Sequence, residues 1–255
     1  MARACRLPSA TGVPPARWSG PELRHEPEAQ DLLSQPMSVT SVRILAENPV
    51  KPRQYQSWIS PRDPDFEAKA SVVLDLYQGI YDGEPLGPYD RILSFDAKPS
   101  IQARGRIHAT LPAVPGRLAR VEHEYARHGA LALLAGLDVH IGEAFASTPK
   151  TTGIVPFMDL VGQVMQRPED KNAPRVFVIV DNGSDHRGKA AIARLREAHP
   201  NAVTVHTPVH VSWLNQIVVF FSVIQKKVVS PNDFPSLEKL SETLLAFIDR
   251  YNRTA

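Results

Sequence analysis

Five consecutive apolar residues, Val176-Phe-Val-Ile-Val180, followed at once by Asp181, constrain this chain more than any other segment. A run this short that is apolar at every position has no polar face to turn toward water. It reads as a strand buried on both sides, in the middle of a sheet. Arg91-Ile-Leu-Ser-Phe-Asp96 repeats the design, an apolar strand running into an aspartate. A sheet of this kind needs helices over both faces, and the surrounding periodicity supplies them. Helices are predicted at about 65 to 78, 153 to 166, 187 to 198, 212 to 228 and 236 to 251, and strands at about 91 to 96, 101 to 108, 130 to 138, 141 to 146, 176 to 181 and 202 to 206. An initial antiparallel run followed by strands alternating with helices predicts an α/β fold, a mixed sheet flanked by helices.

Bulk properties narrow the function classes. With 255 residues and 43% hydrophobic content, the chain can bury one large core and carry a small additional segment. It contains no apolar run of about 18 residues that would span a bilayer. The N-terminal stretch, despite Arg3 and Arg6, has no apolar secretory core, so no membrane partner and a cytoplasmic location are expected. The single cysteine, Cys5, excludes an internal disulfide and a thiolate zinc cluster, leaving oxygen or imidazole to hold any metal. A net charge of +2 means that a nucleic-acid partner must be argued from local clusters. Residues 1 to 62 form one such cluster. Arg104, Arg106, Arg117, Arg120 and Arg127 form the other, and each reads equally well as an ordinary solvated face.

Fifteen of the 23 prolines precede residue 116, which assigns short helices and connectors to the first part of the chain and the regular domain to the second. Residues 1 to 50 are predicted to hold two short helices. One starts near Ser19; the other runs from Ser38, as N-cap, to about Asn48, where Asn48-Pro49 stops it. Joined by a turn at Pro36, they make a candidate helix-turn-helix with Ser38, Thr40 and Arg43 as candidate DNA contacts, a pattern any helical hairpin would share. Residues 51 to 88 read as a linker and a helix, and 89 to 255 as the α/β domain.

The chemistry rests on where the strands end. An Asp directly after a central strand sits at the carboxyl edge, where open sheets gather their ligands. If the strands of Asp96 and Asp181 are neighbours, the carboxylates converge and repel, and divalent cations between them would relieve that repulsion while clamping a phosphate. The structural alternative is that each Asp only terminates its strand, and Asp181-Asn182-Gly183 is a good turn sequence. Other constellations carry less. Ser184, Asp185 and His186 are sequence neighbours and cannot align as a hydrolase triad. His206 and His210 have Pro208 between them, which rules out the helical ligand spacing. No glycine-rich phosphate loop occurs. Trp213, Phe220 and Phe221, at helical spacing, are expected in the core rather than as a base-stacking platform.

Several segments resemble the bacterial insertion-sequence transposases related to Tc/mariner elements: Arg17-Trp-Ser-Gly-Pro-Glu-Leu23, the Ser38 to Glu47 helix, Ser60-Pro-Arg-Asp-Pro-Asp-Phe66, Leu74-Asp-Leu-Tyr77, Ser100-Ile-Gln-Ala103, Val180-Asp-Asn-Gly-Ser184 with His186, and His206-Thr-Pro208 leading to Trp213-Leu-Asn-Gln216. The resemblance implies a DDE endonuclease domain of the retroviral-integrase, ribonuclease-H-like type. It implies two metal ions, Mg²⁺ or Mn²⁺, held by Asp96 and Asp181, and a double-stranded DNA partner comprising transposon terminal repeats and target. A homodimer and a nucleoid-associated location are compatible with it. Lys98, Asn182, His186, Asn215 and Gln216 become candidates for positions behind the metal ligands or for phosphate contacts. Two departures stand out. The family's Asp-Glu-Lys reads Asp96-Ala97-Lys98, and the position of its third carboxylate, the glutamate of Trp-Leu-Asn-Gln-hydrophobic-Glu, is Val218. The family's proteins also extend further at both ends, so this chain resembles a trimmed copy. The reading is thus a transposase with impaired catalysis, with a non-catalytic DNA-binding relic or repressor, and a nuclease with a repurposed third ligand, as alternatives.

Overall fold

The computed structural model describes Ala10, residues 60 to 183 and residues 188 to 254. The predicted helices before residue 50, with Ser38, Thr40 and Arg43, and the Ser184 to His186 cluster lie outside the described residues. The apolar strands assemble into a five-stranded sheet of order β5-β4-β3-β6-β7. Its members are β3 (Arg91–Arg106), β4 (Tyr125–Asp138), β5 (Ala144–Ser147), β6 (Val176–Val180) and β7 (Ala202–His206). β3, β4 and β5 pair antiparallel, whereas β6 and β7 are parallel to β3. All five β6 side chains are buried, as an apolar run covered on both faces requires.

Two layers of helix provide that cover. On one face, Phe157, Leu160, Val161 and Val164 of α2 (Ile154–Met165) and Leu195 of α4 (Lys189–Ala198) meet Leu93, Phe95, Val176, Val178 and Val180. The short α3 (Pro168–Lys171) lies between them in sequence. On the other face, α5 (Ile217–Ile224) and α6 (Leu237–Asn252) cover Ile101, Ala103 and alternate residues of β4. Beside them, Ala70, Val73 and Leu76 of α1 (Phe66–Tyr77) pack on Ile92, Phe177 and Ile179. Among the described residues, no helix is long and apolar enough to cross a membrane.

Three local expectations are corrected. The strands predicted at 91 to 96 and 101 to 108 are one strand. β4 carries the antiparallel ladder past Pro99, and a register shift between Lys98 and Ile101, with Ser100 at φ 58°, absorbs the irregularity. The expected loop after Gly79 contains a small hairpin, β1 (Ile80–Tyr81) with β2 (Glu84–Pro85), closed by Asp82 and Gly83 at φ 53° and 79°. The helix predicted over 212 to 228 breaks into a 3₁₀ turn at Ser212–Leu214, then α5, then a wider π turn at Gln225–Val229.

Candidate active site at the junction of β3, β6 and α5

The register of the parallel pair decides where the two aspartates sit. Arg91 stands opposite Val176 and Ser94 opposite Ile179. The pairing ends at Ser94 and Ile179, so Asp96 and Asp181 each stand two residues beyond the same end of the β3–β6 pair. Side-chain parity puts Asp96 on the face of Ile92 and Ser94. Ile92, Phe177 and Ile179 share the core under α1, and Asp96 and Asp181 follow them at even spacing. Asp96 therefore lies inside a long strand rather than at its end, because β4 continues to pair beyond it, with Asp96 opposite Ala135. It is β6 that stops here, which opens the edge of β3.

Each carboxylate also binds its own backbone. Asp96 accepts from the Ala97 amide at 2.7 Å, and Asp181 accepts from Gly183 N at 2.7 Å. Asp181 thus does organise a turn, as its sequence suggested. Asn182 donates to the Thr207 carbonyl at 2.6 Å, tying this turn to the segment after β7. Asp181, Asn182, Thr207, His210 and Ser212 help to line a cavity of about 280 Å³ beside it.

The start of α5 is bolted to β3 next to Asp96. Asn215, fully buried, donates to the Phe95 carbonyl at 2.8 Å and bonds to the Ser94 hydroxyl. Ser94 Oγ in turn accepts from Ile217 N at 3.0 Å. These bonds hold Asn215 extended (φ −78°, ψ 112°), which breaks the predicted helix. Tyr77 reaches over from α1 and donates to the Leu214 carbonyl at 2.8 Å; burial pushes its phenol up to about 12. Val218 follows on the first turn of α5, half-buried, as is Gln216. Valine offers no lone pair to a metal. Among the described residues, no group of three or more His, Cys, Asp or Glu side chains is placed to hold one.

Of the residues singled out from sequence, Asp96, Asp181, Asn182, Asn215, Gln216 and Val218 belong to this junction, and Lys98 lies further along β3. Phe220 and Phe221 are core residues as expected, but Trp213 is 57% exposed, because the 3₁₀ turn takes it out of the α5 helical phase. Sequence reasoning named Ser94 and Tyr77 only within longer segments and gave neither a role at this junction. Ser94 had a usable signal, a polar residue in an otherwise apolar strand two positions before Asp96.

Strands of this order and direction, sandwiched by helices, define a ribonuclease-H-like fold. The model of the DDE superfamily endonuclease family matches residues 91–241, and the chain belongs to that family. Among solved structures it is similar to the Mos1 mariner paired end complex with Mn, at 17% identity and TM-score 0.56, over 95% of this chain and 78% of that one. The Mos1 transposase paired-end complex with left transposon end gives 16% identity and TM-score 0.59, over 95% and 76%. A pre-cleavage Mos1 transpososome gives 16% and 0.53, over 95% and 79%. No curated protein matches the chain.

Proposed function

We propose that this chain is a transposase of the DDE type, built for DNA strand cleavage and strand transfer, whose catalysis is impaired by Val218. The observation that supports the reading is the parallel β3–β6 pair, which has Asp96 and Asp181 each two residues beyond its same end, while α5 carries valine at 218. The fold it shares with mariner transposase complexes containing transposon ends supports double-stranded DNA as partner. Mos1 mariner paired end complexes with Mn and with Mg support a divalent cation.

The donor set fits such a cation in part. Asp96 and Asp181 would hold it, and it would supply Lewis-acid charge and an activated water for attack on phosphorus. The chain's own residues position these ligands. Asn215 and Ser94 fix α5 to β3 beside Asp96, and the Asn182 bond to Thr207 fixes the loop bearing Asp181. Gln216 presents a neutral amide at the start of α5, and Lys98 a cation further along β3. His186 is assigned by resemblance to the same site. Ser38, Thr40 and Arg43 would contact DNA from a helix-turn-helix in residues 1 to 50, linked through 51 to 88 to an endonuclease domain over 89 to 255.

Loss of one anionic ligand costs several kcal/mol of transition-state stabilisation, and each 1.36 kcal/mol is about tenfold in rate. The test is strand cleavage of the element's terminal DNA with Mg²⁺ or Mn²⁺, comparing the unaltered chain with Val218→Glu. The expected result is cleavage raised at least about a hundredfold by the substitution. Robust cleavage by the unaltered chain would refute the impairment. Val218 equally favours a second reading, a non-catalytic DNA-binding protein that competes with intact transposase. Salt-dependent binding to terminal DNA, with no cleavage even after Val218→Glu, would select it.

A further inference from the structure

We infer that the cleft along the free edge of β3 is a track for the phosphodiester backbone of the DNA strand that reaches Asp96 and Asp181; this rests on the DNA-processing reading above. The cleft has a volume of about 450 Å³ and begins two residues beyond Asp96, with Lys98, Gln102, Arg104, Arg106, Gln225 and Asn232 among its walls. Its position follows from the topology. β6 pairs with β3 only as far as Ser94, and the segment after α5 takes up the same edge from Gln102 onward. There, Asn232 Nδ2 donates to Gln102 O at 2.7 Å, Arg104 N donates to Asn232 Oδ1 at 2.9 Å, and Phe234 N donates to Arg104 O at 2.8 Å. Between the aspartate pair and this strap the edge is left open.

The charge of the cleft is one-sided. Among the described residues, no acidic side chain lines it. The arginines are held by neutral partners: Arg104 Nε donates to Gln102 Oε1 at 3.1 Å, and its guanidinium lies 4.7 Å from the centre of the Tyr125 ring. Arg106 donates to the Glu122 carbonyl at 2.7 Å and lies 5.7 Å from the same ring centre. Arg127 stands opposite Arg104 in the ladder, so three like charges gather at one tyrosine. Tyr125 registers this field. A bond from Arg127, then the charge of Arg104, hold its phenol below the usual range. Nearby acids are engaged elsewhere: Glu122 bonds to His108, and Asp233 accepts from the Arg106 backbone amide at 3.0 Å. Cations crowded this way, fixed in geometry and matched only by neutral groups, are arranged for an incoming polyanion. An ordinary solvated face would spread its cations and intersperse acids among them.

Phosphate contacts of this kind have a measurable signature. Each phosphate neutralised on duplex DNA steepens the fall of log K with log salt by about 0.9. The experiment measures fluorescence anisotropy of labelled duplex DNA of arbitrary sequence with the full chain and no divalent metal, between about 50 and 200 mM salt. Arg104→Gln is expected to flatten the slope by about 0.9 and weaken binding on all sequences, Arg104→Lys to keep the slope, and Gln225→Glu to weaken binding by adding an anion to the wall. Lys171→Gln, exposed on α3 and outside the cleft, is expected to change neither. If the unaltered chain binds with a clear salt slope and both Arg104→Gln and Gln225→Glu match it, the track is refuted while the DNA-processing reading stands. If the unaltered chain binds no DNA at any salt, both fall.

Discussion

Asn215→Ala isolates the bond network that fixes α5 beside Asp96. In the native structure the amide satisfies two buried groups, the Phe95 carbonyl and the Ser94 hydroxyl, and all three residues are at most 1% exposed. Alanine leaves that carbonyl without its Asn215 donor and the hydroxyl with nowhere to donate, although Ser94 Oγ still accepts from Ile217 N. Each such buried orphan costs roughly 1–3 kcal/mol, so the substitution should destabilise by about 3–4 kcal/mol. A domain of this size loses about 2–4 °C of Tm per kcal/mol, which predicts a fall of about 10 °C. Urea denaturation and calorimetry read both quantities. Ser94→Ala strips the same network from the other side, so the double variant should cost less than the sum of the two singles by at least about 1 kcal/mol. A cost for Asn215→Ala below about 1 kcal/mol, or additivity within about 0.5 kcal/mol, would refute the network as the fastening of α5.

Two further substitutions test the frame around the aspartates. Gly136 pairs with Phe95 in the ladder, and a Cβ there would fall 2.4 Å from the Phe95 ring. Gly136→Ala should therefore cost roughly 1–3 kcal/mol, and adding Phe95→Leu should recover part of it in urea denaturation. Asp63 clamps the segment lining the Asp181 cavity, accepting from Val209 N at 2.8 Å and from Lys69 Nζ at 2.9 Å. The Val209 amide, then Lys69, lower its carboxyl from 3.8 to about 2. Its stabilising contribution is fully present above about pH 3.8 and is lost as pH falls toward 2, so Asp63→Asn should flatten the acid limb of stability within that window and leave its shape near neutrality unchanged.

Sequence patterns made the strands and the covering helices legible because burial on both faces leaves an unmistakable composition. Val176–Val180 is an example, read from its lack of any polar position. What periodicity could not carry was register. Asp96 and Asp181 come from strands some eighty residues apart, and no local preference says that these strands are neighbours or which residues lie opposite. The break before α5 was hidden for a related reason. The run from Ser212 to Ile224 looks helical throughout, and the interruption at Asn215 is imposed by hydrogen bonds to a strand distant in sequence. By contrast, the β1–β2 hairpin had its signal in plain view, because Asp82-Gly83 is a favoured two-residue turn, and the short flanking strands masked it.

The contacts that seat α5 explain why the fold tolerates Val218. Ile217, Phe220, Phe221 and Ile224 fill the core under β3 and β4, while Asn215 and Ser94 make the polar fastening, so neither the packing nor the fastening draws on a carboxylate at 218. In the proposed site, an aliphatic side chain at 218 would spare Asp96 and Asp181 a third negative charge, whose repulsion a metal-free protein would have to absorb. Val218→Glu should therefore do two things in the absence of DNA. Without divalent cation it should lower Tm relative to the unaltered chain. With Mg²⁺ or Mn²⁺ at about 100 times the dissociation constant it should regain about 2.7 kcal/mol, since a ligand that binds only the folded state stabilises by RT ln(1 + [L]/Kd). The unaltered chain, with two carboxylates, should gain less at the same cation concentration. Equal gains for the two proteins in a cation titration followed by calorimetry would show that position 218 does not face the aspartate pair, and the assignment of the third ligand position would fall.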